Sequence, residues 1–558
     1  MWNATDIERE QTEMEQARLP FEQMMRDAAI WFLPGHQQFD AMAWTNSGGA
    51  RGPSMDVRIF DPHAQQSIEQ AISLFEGYVM PRGQLWQRWE LPDDNLMNLR
   101  HVREWVEAKN RLLFKYRNDP KSGFTGQVHE SIGSLMAMGS QSMWPDIRRD
   151  LLGRPVGLSY QSDFIGQVYV KTDHMGLVST VHYTFTWSAA KALSAFGEEA
   201  PECVQKAMRD NRPTATFRFI HVVKPNAEFD PERLDWKGKP WAGCYFCRDE
   251  GGKVFKKGGY RAMPRIVSRY SVAPNEDYGR CPAFTVLPAV RASQQMVQDM
   301  ILASELSAMP PLGAHSDMMD ATIKYAAHQV TYGAIDHRGN RKLVPLIEGS
   351  DMSGSMELLG RMQTLIDRAF FVDMLQIRQD LKSHVTDSQL YQREEEKGIL
   401  LAPLANQETE WLSPMLDREI DLMDEMGDFD DMPGEVAEAI EGGMDLMTVS
   451  YDNGLSRAQD AGAAAGYWRL LEQFTPIFQS PAGQEAWNRF TEKWPLEKVM
   501  DAMGRINGIP ANWEAETDAR QQRKAENQQA GELGELINAL PAIGKTAKDL
   551  SDAVPDNG

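Results

Sequence analysis

Apolar residues recur at helical spacing through much of the chain. The clearest stripe is Leu359, Met362, Ile366, Phe370, Met374 and Ile377, at intervals of three or four. It predicts the buried face of a helix from about Ser355 to Asp380. Helices are also predicted over residues 5–33, with a capping start at Thr5-Asp6 and a stop at Pro34-Gly35, and over 62–80, ended by Pro81-Arg82-Gly83. Two more cover 97–117 and 123–140, while the Gly-, Ser- and Asp-rich residues 36–60 read as a loop. From about 153 to 275 the period shortens to two. Gln167-Val168-Tyr169-Val170-Lys171 and Thr216-Phe217-Arg218-Phe219-Ile220 predict strands, with hairpin turns at Gly251-Gly252 and Gly258-Gly259. Helix returns after Pro288 and runs to about Met309, where Pro310-Pro311 ends it. Residues 312–349 read as a small mixed module, with strands at Gln329–Ile335 and Lys342–Ile347 joined at Asp336-His337-Arg338-Gly339-Asn340.

After the long stripe, a polar break at Lys382–Asp387 leads to a helical stretch ending near Met426, with kinks expected at Pro403 and Pro414. From about 433 onward the pattern is helical, with turns at Asp452-Asn453-Gly454, Ser480-Pro481 and Gly508-Ile509-Pro510. The last 40 or so residues are polar and expected to be ragged or disordered. No internal repeat indicates a solenoid or a propeller. The fold class expected is α+β. Two long amphipathic helices flanking a small module make no compact core alone. They bury their stripes best against neighbouring subunits.

The length, 558 residues, allows roughly three or four domains. A formal net charge of −22 argues against a protein that grips nucleic acid through a basic face. It leaves room for one that surrounds DNA without sticking to it. Four cysteines, Cys203, Cys244, Cys247 and Cys281, imply no disulfide framework and fit a reducing compartment. No signal peptide is read at the N-terminus, and no apolar run approaches the roughly 18 residues of a membrane span. The 31 methionines hint at adaptable interfaces.

Catalytic patterns are incomplete. His129-Glu130 begins an HExxH string, but residue 133 is Gly. Gly544-Lys545-Thr546 ends like a phosphate loop, yet Ala539 stands where the upstream glycine belongs. Cys244 and Cys247 form one CxxC without further ligands at zinc spacing. Asp421, Asp424, Asp428, Asp430 and Asp431 lack the calcium-loop pattern and read as a solvated helix end. No nucleophile signature is present, so no enzyme, metal or cofactor is expected.

Several strings carry a resemblance. Asp277-Tyr278-Gly279-Arg280-Cys281-Pro282-Ala283 is similar to a YGRSPA signature, with Cys281 in place of serine. Ile366-Asp367-Arg368-Ala369-Phe370-Phe371-Val372-Asp373-Met374 follows, then Val385-Thr386-Asp387-Ser388-Gln389 and Arg393-Glu394-Glu395-Glu396-Lys397. In that string Asp387 replaces an alanine and Gln389 a glutamate. Leu401–Leu404, Glu410–Met415, Val449-Ser450-Tyr451, Leu455–Gln459, Gly508-Ile509-Pro510 and Arg520–Arg523 continue in order. Upstream, Trp31–Gly35 and Val79–Trp86 also fit. In this order, from about 26 to 525, the strings resemble the portal proteins, or head-to-tail connectors, of short-tailed bacteriophages.

The resemblance implies a portal fold: a homo-oligomeric ring, expected to be a dodecamer, that forms the DNA channel at the capsid vertex. It implies a wing at 1–280, a first stem helix at 281–308, a clip at 309–350 and a second stem helix at 351–379. A tunnel loop at 380–387, a long wing helix at 388–428, a crown at 429–525 and a polar tail at 526–558 complete it. Implied partners are the terminase large subunit, a tail adaptor protein, the major capsid and scaffolding proteins, and double-stranded DNA passing without sequence specificity. The implied location is the virion, with assembly in the host cytoplasm. Arg378, Lys382 and His384 would face DNA in the tunnel, although a helix C-terminus favours cations in any case. Arg338, Arg341 and Lys342 would form the docking tip of the clip, or else a solvated turn. The rival readings are another ring-forming head-tail adaptor, usually shorter and one helical bundle, and a thiol or metal hydrolase built on Cys244 and Cys247.

Overall fold

Helix α1 spans Ala4–Phe32 and begins one residue earlier than its sequence signal, because the Asn3 side chain accepts from the Thr5 N–H at 3.4 Å. The computed structural model describes residues 2–34, 59–250, 252–318, 323, 329–346, 352–372, 406–441, 448–451, 470–471, 473–477, 483–494 and 499–500. Two units divide the chain, Met1–Gln459 and Asp460–Gly558.

In the first unit α1 is followed by α2 (His63–Val79), β1 (Gln87–Glu90), the short α3 (Asp94–Asn98), α4 (Arg100–Asn118) and α5 (Phe124–Met138). These helices match the predicted spans to within a few residues. Helix α5 is buried nearly all round from Ser131 to Met138, because α1, α2 and two strands pack against it. Those strands are β2 (Ser140–Arg149) and β3 (Pro155–Asp163); with β9 (Ile266–Arg269) they form an antiparallel sheet in the order β3-β2-β9.

A second sheet is an antiparallel meander of β4 (Val168–Thr172), β5 (Val178–Ser188), β6 (Thr216–Pro225), β7 (Trp241–Cys247) and β8 (Lys253–Tyr260). Helices α6 (Ala189–Phe196) and α7 (Glu202–Arg209) are inserted between β5 and β6 and cover one face, around Phe185, Phe196, Val204 and Phe219. Ile7 of α1 packs on the other face against Ile220, Val222 and Phe246. Both predicted strands are present here, and Gly252 sits at the predicted turn with φ of 78°. Gly258-Gly259 is not a turn. Both glycines lie inside β8, and a Cβ on Gly259 would stand 2.7 Å from the Trp236 carbonyl oxygen.

Helix α8 (Pro282–Ala308) starts before Pro288 rather than after it. Pro282 takes the first helical position, where a missing N–H costs no bond, and Pro288 is carried inside. Strands β10 (Leu312–Ala314) and β11 (Leu343–Pro345) pair antiparallel. The expected strand at Gln329–Ile335 is reduced to a single bridge, Ile335 to Arg341, because Leu312–Ala314 takes the pairing edge instead. Helix α9 (Ser353–Ala369) stops well short of Asp380. Phe370 turns inward onto Phe32, with ring centroids 5.3 Å apart, and Phe371 adopts φ of 59°. Met374 and Ile377 of the stripe, and the loop at Lys382–Asp387, lie outside the described residues.

The chain is described again from Asn406. A π turn at Glu408–Leu412 precedes α10 (Ser413–Met426), so the kink expected at Pro414 takes the form of a widened turn just before it. Helix α11 (Gly434–Glu441) and strand β12 (Thr448–Tyr451) follow. β12 corrects the helical reading beyond 433: it pairs with β1, and the Tyr451 hydroxyl donates to the Glu408 carbonyl at 3.0 Å. The second unit holds α12 (Gly483–Lys493), where Phe490 stacks near Phe474, Trp487 and Trp494. The predicted turns at 452–454, 480–481 and 508–510 and the polar tail include residues outside the described ones.

Two outcomes follow. Gly139 has φ of 78°, and a Cβ there would lie 2.1 Å from the Gly279 carbonyl oxygen. Gly139→Ala is therefore expected to lose roughly 3 kcal/mol of stability, read as a fall in thermal midpoint. The second concerns acid. The Glu10 carboxyl is held down to about 2 by His182, with Lys224 adding to the effect against the cost of burial. A depressed carboxylate stabilises the fold above its unfolded value and loses that contribution as pH falls through its folded value. Thermal midpoints measured from pH 5 to pH 2 should thus fall less steeply for Glu10→Gln than for the parent chain.

Candidate functional site

Helices α8 and α9 pack on each other, and the hairpin module between them leaves the body with them. All six buried residues of α8 lie between Ala283 and Gln294. Beyond them Ile301, Leu302, Leu306 and Met309 are exposed, Met309 at 70%. On α9 only Ile366 is buried, while Met356, Leu358 and Leu365 are exposed. Large apolar side chains left exposed on two paired helices suit an association face.

The base of this pair is fastened to the body. Gln294 accepts from the Phe60 and Asp61 N–H groups at 2.8 and 3.0 Å and donates to the Asp61 carbonyl at 2.6 Å. Asp367 accepts from the Ser67 hydroxyl at 2.7 Å and lies 2.9 Å from His63 Nε2.

The module itself closes by backbone bonds. His315 N–H donates to the Lys342 carbonyl at 3.0 Å, Lys342 N–H to Ala334 at 2.8 Å, and Asp336 N–H to Asn340 at 2.9 Å. Gly339, with φ of 83°, makes the turn. Arg338 stands exposed at the tip, Arg341 is exposed beside it and Lys342 is half-buried. The structure thus brings these three predicted residues onto one hairpin end. Val330, Tyr332, Ile335, Val344 and Leu346 expose apolar surface along the same module. Arg378, Lys382 and His384 lie outside the described residues.

The signature string has a structural reading. Asp277 Oδ1 accepts from both the N–H and the hydroxyl of Thr172, at 3.2 and 2.6 Å. The buried Tyr278 hydroxyl accepts from Val170 N–H at 3.3 Å. Gly279 lets its backbone touch Gly139 and donates to the Ser140 hydroxyl at 3.0 Å. Cys281 Sγ donates to the Ala137 carbonyl at 3.3 Å, and burial pushes its thiol up to about 12. Pro282 then starts α8. The string fastens the start of α8 to α5 and β4.

Arg117, Glu419 and Gln87, which the sequence did not single out, hold α10 to the body. Arg117 Nε donates to Glu419 Oε1 at 2.9 Å and its Nη2 to Gln87 Oε1 at 2.6 Å, all buried. Tyr160 donates to Glu419 at 2.5 Å, and Gln87 to the Leu412 carbonyl at 2.9 Å. Burial, and next the Glu419 charge, hold the Tyr160 phenol well above its usual value. Arg269 donates to Glu410 at 2.9 Å, and Arg261 pairs with Asp424. No sequence spacing announces pairs separated by 302 residues, as Arg117 and Glu419 are.

The acidic cluster is a solvated helix end only in part: Asp424, Asp430 and Asp431 are exposed, while Asp428 is half-buried and Asp421 buried. Asp421 is buried against Arg418 at 2.5 Å, Asp431 meets Lys109 at 2.5 Å, and Asp428 accepts from the Tyr116 hydroxyl at 3.2 Å, its carboxyl raised by burial. Between β9, α10 and α11 lies a cavity of about 840 Å³, walled by Trp89, Trp105, Trp241, Phe429 and Ile440. His129 is occupied by Glu69 and Glu76, each at 3.2 Å. Cys244 and Cys247 point to opposite faces of the sheet, into separate apolar clusters, so they cannot share a metal. Burial also pushes the Cys244 thiol up to about 12. Among the described residues no group of three His, Cys, Asp or Glu converges as a metal site, and no helix is long and apolar enough to cross a membrane.

Two curated relatives extend along most of the chain. The portal protein of Salmonella phage epsilon15 is 22% identical over 559 residues, covering 97% of this chain and 94% of the relative. The probable portal protein of Bordetella phage BPP-1 is 23% identical over 504 residues, covering 88% of this chain and 86% of the relative. A family profile described as bacteriophage head to tail connecting protein matches residues 4–513. With nearly its whole length matched in this way, the chain belongs to the bacteriophage head-to-tail connecting protein family.

Proposed function

We propose that the chain is the portal subunit of a short-tailed phage: it assembles as a ring, expected to be a dodecamer, at the capsid vertex, and the ring is the channel for genome packaging, retention and ejection. The observation that carries this reading is the exposed apolar surface of α8 and α9 in a chain that aligns end to end with portal proteins. A lone subunit leaves Leu302, Leu306 and Leu365 in water; a neighbour on each side covers them. The near-complete coverage of the portal relatives favours this over a shorter ring-forming adaptor.

The parts follow from that assembly. Residues 1–280 make the wing, α8 and α9 the core of the stem, the module between them the clip, 380–387 the tunnel loop, 388–428 the long wing helix and 429–525 the crown. Arg378, Lys382 and His384 would touch phosphate transiently in a channel whose acidic balance otherwise repels DNA from its wall. Repulsion from all sides centres the duplex and leaves no ion pair to break at each step. The clip tip with Arg338, Arg341 and Lys342 docks the terminase large subunit and later a tail adaptor, while the wing meets the major capsid and scaffolding proteins. Mechanical work comes from the terminase, and the portal carries no catalytic activity. Its place is the virion, with assembly in the host cytoplasm.

Negative-stain microscopy of the purified chain should show rings of twelve-fold or near-twelve-fold symmetry with an open centre; a compact monomer would sink the reading. The double variant Leu302→Glu with Leu365→Glu should abolish those rings and leave folded monomers, read by native mass spectrometry and circular dichroism. The double variant Arg338→Glu with Arg341→Glu should keep the ring and weaken terminase binding at least about tenfold. Unchanged binding would return those residues to the status of a solvated turn.

A further inference from the structure

Cys247 has a sulfur neighbour, though not the one its CxxC suggests. It closes β7 on the face covered by α6 and α7, and its Sγ lies 3.7 Å from that of Cys203, in the first turn of α7. Cys203 is half-buried and Cys247 has no exposed surface. Phe196, Val204, Phe219 and Phe255 pack around the pair. Both cysteines are thiols, 44 residues apart on elements held together by packing. Cys244 lies on the other face of the sheet, and Cys281 is engaged with the Ala137 carbonyl.

We propose that Cys203 and Cys247 are a covalent modification site that closes to a disulfide when the folded chain meets a peroxide. The half-buried sulfur is the one a small oxidant reaches. The Cys203 sulfur attacks one peroxide oxygen; an S–O bond forms, the O–O bond breaks, and the departing hydroxide takes the thiol proton as water. Cys203 is then a sulfenic acid. The Cys247 sulfur attacks the Cys203 sulfur. The S–S bond forms, the S–O bond breaks, and hydroxide leaves with the Cys247 proton as a second water. Two thiols lose two electrons together, and one peroxide is reduced.

The geometry suits this order. A bond of about 2.05 Å asks the sulfurs to approach by less than 2 Å from their present separation. Closure ties α7 to the end of β7 and turns a packing contact into a covalent one. A reducing cell keeps the pair as thiols, and oxidising surroundings close it. This chemistry holds whatever ring the chain forms.

The test uses the purified full-length chain treated with hydrogen peroxide, then unfolded and alkylated. The parent chain should lose two of its four thiols, fall in intact mass by two hydrogens, and yield a Cys203–Cys247 cross-linked peptide. Its thermal midpoint should rise by several degrees, and dithiothreitol should reverse this. Cys203→Ser, at the half-buried position, should fold and keep its three remaining thiols under the same treatment. Four retained thiols in the parent, oxygen added to Cys203 without a cross-link, or a disulfide between chains would each overturn the assignment.

Discussion

One buried ion pair determines how the first unit closes. Arg117 of α4 and Glu419 of α10 come from segments 302 residues apart, and neither side chain reaches water. Removing one partner from such a pair costs roughly 3–5 kcal/mol, because the other is left charged and dry. Tyr160 of β3 and Gln87 of β1 supply the hydrogen bonds that make burial tolerable. Four elements must therefore arrive together. Gln87 then reaches the Leu412 carbonyl at the end of the π turn, where α10 begins. The short sheet of β1 and β12 forms beside it, and Arg269, Arg261 and Lys109 hold successive points along the same segment.

A second constraint is steric. At Gly139 and Gly279 two backbones touch so closely that no side chain fits on either. That contact joins the end of α5 to the segment leading into α8. The family-like string from Asp277 to Ala283 is a fastening of backbone to backbone, and the position where Cys281 replaces serine keeps its donor, now a thiol, on the Ala137 carbonyl.

Much of this was legible in the sequence. Helical stripes located α1, α2, α4 and α5 because one face of each must be apolar, and period two located β4 and β6. The errors arose where tertiary packing overrides a local signal. Gly258-Gly259 looks like a turn, but its glycines admit the Trp236 backbone beside β8. The stripe through Phe370 looks continuous, yet Phe370 turns onto Phe32 and the helix ends. Val449-Ser450-Tyr451 is too short to announce a strand, and its partner lies far upstream at Trp89. Asp421 and Asp428 were misread as solvated because the Arg418–Asp421 face of α10 is buried and Tyr116 comes from α4. Of the candidate site, the turn around Arg338 and Gly339 was legible as a hairpin end, while the Cys203 partner of Cys247 had no sequence mark at all.

Helix α8 is embedded in the body along its first half, and beyond that it packs on α9 with much of its surface exposed. Mechanically it is a cantilever. A load applied to the hairpin module beyond Met309 acts through a lever arm and arrives as torque at the embedded half. There Gln294 of the helix is bonded to Phe60 and Asp61, the Cys281 thiol holds the Ala137 carbonyl, and Gly139 crosses Gly279 in a contact with no slack to absorb rotation. A close-packed body transmits such a torque onward to α5 and β2 instead of dissipating it in bending. The two glycines are thus the bearing on which push or pull at the tip is felt in the body.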